Sequence, residues 1–260
     1  MIFSFFFISF IASTVGAISG IGGGVIIKPS LDTFSTLPVA AISFLSGCTV
    51  LSMTIVTLFR SRGGEVSLNR KISSLLALGG IAGGLAGKYL FDLALVSFSS
   101  ANTVSLIQSS LLAIMVALVF LFILNKERIV PREYSSGILA LLTGFFLGVI
   151  ASFLGIGGGP INIALLYLFF SMDAKKAALN SIFIIFLSQS ASLLFTLATD
   201  RVPDFDIRIL LLMVAGGIFG GVAGSFVTKR VSLRGVDTIF LAVLLLIFAL
   251  SLTQIIRLLT

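Results

Sequence analysis

Apolar runs of up to about 20 residues alternate with short polar segments along the whole chain, and that alternation decides the class of protein. The runs cover residues 2 to 19, 25 to 37, 39 to 59, 72 to 91 and 103 to 124, then 136 to 154, 160 to 172, 177 to 199, 207 to 228 and 236 to 256. An α-helix needs about 20 residues to cross the ~30 Å hydrocarbon core of a bilayer. Most of the runs therefore predict transmembrane helices. The runs beginning at residues 25 and 160 are short, and each follows the same pentapeptide, Gly-Ile-Gly-Gly-Gly, at Gly20 to Gly24 and at Gly155 to Gly159.

The pentapeptide marks a duplication. A shift of 135 superposes its two copies, and a shift of 137 brings Ala40 and Ala41 onto Ala177 and Ala178 and the series Gly79, Gly80, Gly83, Gly84, Gly87 onto Gly216, Gly217, Gly220, Gly221, Gly224. Two glycine patterns in one order at nearly one offset point to two copies of a unit. The expected organisation is an N-terminal repeat over residues 1–124, a cytoplasmic linker over 125–134 and a C-terminal repeat over 135–260. If both short runs cross the membrane, each half has five spans and the second half is inverted. If both dip in and return, each half has four full spans and the halves are parallel.

Charge separates these arrangements, because Lys and Arg concentrate in short cytoplasmic loops. With five spans per half, the cytoplasmic segments 60–71, 125–134, 173–176 and 228–235 hold twelve of the 17 basic residues, among them Arg60, Arg62, Arg70, Lys71, Lys229, Arg230 and Arg234. Four spans per half would put the segment from Lys229 to Arg234 outside and Asp200, Asp204 and Asp206 inside. The expected fold is an all-α polytopic membrane protein of two inverted repeats. Each repeat has about five segments, four full helices plus a glycine-broken short one, with both chain ends outside.

Composition agrees. The chain is 58% hydrophobic and 10% charged with a mean hydropathy of +1.21, against roughly 25% charged for a soluble domain. Its net charge of +7 sits in interhelical loops, which fits topology and anionic lipid rather than nucleic acid. With one cysteine, Cys48, and no histidine, neither a disulfide framework nor a Cys/His metal site is expected. No cofactor is expected either. The stretch from Met1 to Ala17 resembles a signal peptide in its apolar run but has no basic leader, and it is read as a retained helix.

Duplicated halves that each carry a glycine-broken apolar segment are the sequence pattern of a secondary transporter, with the substrate site near the midplane where the breaks meet. Irregular backbone at membrane depth must line a cavity or be buried in protein, and a helix start there offers N–H groups to an anion. Gly22, Gly23, Gly24, Gly157, Gly158 and Gly159 are therefore candidate substrate-binding residues, the alternative being that these glycines only let helices pack closely. Neither copy carries the Gly-Lys-Ser/Thr of a nucleotide P-loop. The ladders Gly79, Gly83, Gly87 and Gly216, Gly220, Gly224 keep four-residue spacing and are read as helix packing faces.

Lys28, a turn beyond the first break, is a functional candidate because ionisable groups are expensive in a membrane segment. Its alternatives are pairing with Asp32 four residues on and snorkelling to the interface. The matching position in the second half is Ile163, with Asn162 beside it as a neutral donor. Asn162, Asn180 and Gln189 complete the candidate site as cavity residues. Ser43, Ser46, Thr49, Ser52, Ser181, Ser188, Ser190 and Ser192 are read as mostly backbone-bonded. All ten acidic residues are expected in loops or near span ends, so proton coupling, if present, would run through the substrate or through an acid such as Asp32.

The doubled Gly-x-Gly-Gly-Gly, the first copy followed by Pro29 and the second preceded by Gly144, Phe145, Phe146, Leu147, Gly148 and Ser152, resembles the sulfite exporter TauE/SafE family of membrane permeases. The resemblance covers essentially the whole chain. It implies a multi-pass plasma-membrane carrier for a small sulfur-containing anion such as sulfite, sulfoacetate or another organosulfonate, with some relatives moving small carboxylates. Two departures stand out: Pro160 directly follows the second motif, and Lys28 occupies a position expected to be apolar. The partners so implied are a small anion and the bilayer, not nucleic acid, and a homo-oligomer is compatible with the sequence. An anion channel and a membrane-embedded enzyme are the alternative classes. The enzyme generally needs a Ser/His pair, an Asp pair or a metal within the membrane.

Overall fold

The structure, a computed structural model, describes residues 2–61, 70–98, 100–132, 134, 136–156 and 159–260, and not the side chains of Arg70, Lys71 and Glu127. The described residues form ten α-helices and no strands: α1 (Ile2–Ser19), α2 (Gly24–Phe34), α3 (Val39–Ser61), α4 (Arg70–Ser97), α5 (Ala101–Leu124), α6 (Gly137–Phe153), α7 (Pro160–Phe170), α8 (Ala174–Ala198), α9 (Ile207–Thr228) and α10 (Leu233–Leu259). A 3-10 turn, Lys126–Arg128, lies in the linker. Seven of the helices are long and apolar enough to cross a membrane. At 1.5 Å per residue, the 11 residues of α2 and of α7 reach only about 16 Å, half the hydrocarbon thickness.

Each expected run corresponds to a helix, most of them with shifted ends. Helix α4 continues to Ser97, past the expected limit at 91, so Asp92 lies within it together with Lys88; α2 and α7 stop short at Phe34 and Phe170. Residue type explains several ends. Pro160 opens α7, where its missing N–H costs nothing. Ser100, Ser136, Asp173, Asp206 and Ser232 accept from backbone N–H groups at the starts of α5, α6, α8, α9 and α10.

The glycine ladders are the main packing seams. A Cβ on Gly79, Gly83 or Gly87 would lie 2.0–2.3 Å from a backbone oxygen of Leu141, Phe145 or Val149, so α4 lies backbone to backbone on α6. In the same way Gly216, Gly220 and Gly224 meet Phe6, Phe10 and Thr14 of α1. The alternate glycines face a second helix: Gly80 and Gly84 meet Ile184 and Ser188 of α8, and Gly217 and Gly221 meet Thr49 and Met53 of α3. Residue numbers rise together in every seam, so α4 runs parallel to α6 and α8, and α9 parallel to α1 and α3. These partners pair Phe6 with Leu141 and Thr49 with Ile184, an offset of 135. Helices α3 and α8 start at that same offset, so the match of Ala40 and Ala41 to Ala177 and Ala178 at 137 is a coincidence of composition; the extra two residues enter only before α9.

At the first break the chain doubles back. A Cβ on Gly16 would fall 2.4 Å from Gly23 N, and one on Gly23 would fall 3.0 Å from Ser13 Cα. Helix α2 then ends beside Arg257 in the last turn of α10, which donates to Thr33 O. Helices α5 and α10 run antiparallel, with Lys126 paired to Asp237 at one end and Gln254 facing Ser105 at the other. It follows that Lys126, Arg128, Arg132, Lys175, Lys176, Lys229, Arg230 and Arg234 gather at one end of the bundle, and Asp200, Asp204 and Asp206 at the other. Exposed Phe3, Phe7, Ile11, Leu118, Leu121, Leu211 and Phe219 form the outward apolar surface that a lipid-embedded bundle requires.

Candidate functional site

The two glycine breaks meet. A Cβ on Gly24 would lie 2.0 Å from Ile156 O and 2.9 Å from Val50 Cγ2, which places the contact beside the middle of α3. Each break also rests on the long helix of the other half: Gly20 against Ala178 of α8, Gly155 against Ser43 of α3. Both glycines adopt left-handed backbone, at φ 75° and 65°, a conformation that side chains resist. Their touching partners are again 135 apart.

Of the candidate glycines, Gly22 is left-handed at φ 85°, Gly23 precedes α2 and Gly24 opens it. Gly159 precedes α7, with Met115 Cε 3.3 Å from where its Cβ would stand. Gly157 and Gly158 lie outside the described residues, as does Arg62.

Lys28 is 3% exposed and its Nζ lies 2.9 Å from Asp32 Oδ2. Snorkelling is thereby overturned, because the ammonium is enclosed and paired. The same side chain touches the second break: its Cε is 3.3 Å from the Cβ position of Gly155. A buried ion pair is costly to desolvate and costlier to break. Asp32 Oδ1 and Ser43 Oγ are buried with no protein partner. Asp32 and Asp92 lie near helix ends as expected, yet both are buried, at 8% and 7% exposed.

Asn162 and Asn180 hold helices together. Asn162 Nδ2 donates to Ser181 Oγ at 3.1 Å, which donates to Gly20 O at 2.6 Å, tying α7 and α8 to the first break. Asn180 accepts from Ser73 of α4 and donates to Lys176 O. Gln189 differs, since it lines a cavity.

That cavity, of about 210 Å³, lies between α3, α4 and α8 and reaches Gly155, with Ser43, Ser152, Gln189, Ser192 and Thr196 in its walls. Lys88, Asp92 and Arg201 also line it, at the end of the bundle opposite the basic loops. Lys88, Asp92 and Arg201 were not expected from sequence. One signal was present: Lys88 and Asp92 repeat the four-residue Lys–Asp spacing of Lys28 and Asp32. A larger cleft of about 580 Å³ between α5, α6 and α7 has an apolar lining throughout and offers an anion nothing to bind.

Seven helices long and apolar enough to span a membrane, with two glycine breaks that meet beside a polar cavity, describe a multi-pass membrane protein built around a broken-helix site, the class to which membrane transporters belong. The sulfite exporter TauE/SafE family profile matches residues 5–251, and the chain belongs to that family. It is 25% identical over 263 residues to the probable membrane transporter protein YunE of Bacillus subtilis (strain 168), covering 91% of this chain and 92% of that one. It is 30% identical over 176 residues to a probable membrane transporter protein of Haemophilus influenzae, covering 62% of this chain and 60% of the relative. No solved structure matches.

Proposed function

We propose that this protein is a secondary transporter that moves a small sulfur-containing anion, such as sulfite or an organosulfonate, by alternating access at the meeting point of the two breaks. The observation that carries the reading is the contact of Gly24 with Ile156, next to a polar cavity and with Lys28 enclosed against Gly155. Half-helix starts that converge at mid-depth turn their positive dipole ends toward an anion. The cavity, at about 210 Å³, has room for a small oxyanion with several waters, each of which occupies about 30 Å³ in the liquid.

The halves are taken as inverted about a pseudo-twofold axis in the membrane plane. The direction of equivalent helices supports this: α5 and its counterpart α10 run antiparallel, as a twofold in the plane requires and one along the membrane normal does not allow. The basic end is cytoplasmic by the positive-inside rule, so the cavity opens outward. Purified protein in liposomes is expected to take up labelled sulfite saturably, to exchange it against unlabelled sulfite across the membrane, and to lose uptake to competing organosulfonates. Unsaturable flux without exchange would make it a channel, absence of competition would remove organosulfonates from the substrates, and absence of sulfite uptake together with absence of organosulfonate uptake would remove the sulfur-anion class.

A further inference from the structure

The mouth of the cavity carries charge that the meeting of the breaks does not use. Asp92 holds two cations at once: Lys88 Nζ is 2.8 Å from Oδ1, and Arg201 Nη1, from the segment joining α8 to α9, is 3.4 Å from Oδ2. The group therefore has one positive charge in excess. Its two cations are held differently. The Lys88 side chain is 14% exposed and lies 4.8 Å from the centre of the Phe91 ring, whereas Arg201 is 54% exposed and makes the longer contact. An exposed pair of that length contributes little, and a guanidinium keeps donors in a planar fork that suits an oxyanion. The segment bearing Arg201 is anchored on both sides, on the α8 side by the Arg201 N–H donating to Thr196 O at 3.1 Å, and on the α9 side by the ring of Phe205 at 5.2 Å from that of Phe44 and by Asp206 capping α9. Deeper in the same cavity the hydroxyls of Ser43 and Ser152 are buried without a protein partner.

We propose that Lys88 and Arg201 form an outer recruiting subsite for a small oxyanion, which takes the place of Asp92 on Arg201 before passing to Ser43, Ser152 and the second break. Lys88 stays on Asp92 and keeps its carboxylate neutralised, so Asp92 does not repel the arriving anion. The subsite rests on the transport reading and adds to it a selecting group at one face only. The 137 offset puts Ser225 at the position of Lys88 and Lys229 at that of Asp92, so the other repeat has no matching trio.

One-sidedness gives the test. In oriented vesicles, Arg201→Ala should raise the apparent KM for sulfite on the outer face about tenfold or more, the loss expected for one charge-assisted hydrogen bond, and change the cytoplasmic-face KM far less. Arg201→Lys should recover part of the loss, and added salt should weaken wild-type uptake from the outer face more than it weakens that of Arg201→Ala. An unchanged outer KM, or equal changes at both faces, overturns the subsite while leaving the carrier reading intact. Wild-type protein that moves neither sulfite nor organosulfonates overturns the substrate reading and the subsite with it.

Discussion

Glycines that look alike in the motif have different surroundings. A Cβ at Gly24 collides with the backbone oxygen of Ile156 at 2.0 Å, whereas one at Gly159 meets side-chain ends, Met115 Cε at 3.3 Å and Ile156 Cδ1 at 3.8 Å. Gly24→Ala is therefore expected to force the breaks apart and to abolish sulfite flux, while Gly159→Ala keeps most of it. Flux per molecule of folded, detergent-extracted protein measures the difference, and equal behaviour of the two variants would remove the contact between breaks from the mechanism. Lys28 needs a different test because it is both partner and candidate ligand. Lys28→Ala leaves Asp32 buried without its cation, a loss of about 3–5 kcal/mol for a broken buried pair. The double replacement Lys28→Ala with Asp32→Ala should regain thermal stability. If it also regains sulfite flux, Lys28 serves only its pair; if stability returns without flux, the ammonium acts on the anion.

At the scale of the helix, the ladders and the breaks should respond in opposite ways. Gly83 and Gly220 bring α4 onto α6 and α9 onto α1 at distances that leave no space for a side chain, since a Cβ would stand 2.0 Å from Phe145 O and 2.6 Å from Phe10 O. Membrane helices gain little from burying apolar surface against each other, so such close backbone contact is a main source of their association. Gly83→Val and Gly220→Val are expected to lower the melting temperature and the yield of folded protein, a cost of about 1–3 kcal/mol or more for overpacking. Normal thermal unfolding of either variant would show that the seam tolerates separation.

Across the whole molecule, the basic and acidic ends define the orientation. In a Cys48→Ser background, Arg230→Cys should react with an impermeant maleimide only from the cytoplasmic face, and Asp204→Cys only from outside. The reverse pattern, Arg230→Cys labelled from outside and Asp204→Cys from the cytoplasm, would mean that the halves are parallel and would overturn the inverted arrangement. The same experiment checks the direction in which the cavity opens, because Arg201 lies on the segment that carries Asp204.

The number, order and approximate limits of the helices were legible in the sequence because a membrane segment satisfies its backbone hydrogen bonds within itself. Hydropathy alone then locates it, as for α1 and α9, whose expected ends coincide with the observed ones. Glycine spacing of four likewise announced the seams, since that period puts every member on one helical face. What a local pattern does not encode is which face meets which neighbour, because these helices are apolar on nearly every side. The contacts of Gly24 with Ile156, of Lys28 with Gly155 and of Arg201 with Asp92 join residues far apart in the chain. The trio at the cavity mouth stayed hidden for a related reason: charges near the end of an apolar run read as solvated, and only the extension of α4 to Ser97 with the packing of the α8–α9 segment over it buries Asp92. Tertiary structure also decided the roles of Asn162 and Asn180, which it spends on holding α7, α8 and α4 together, and of Gln189, which it turns into a cavity.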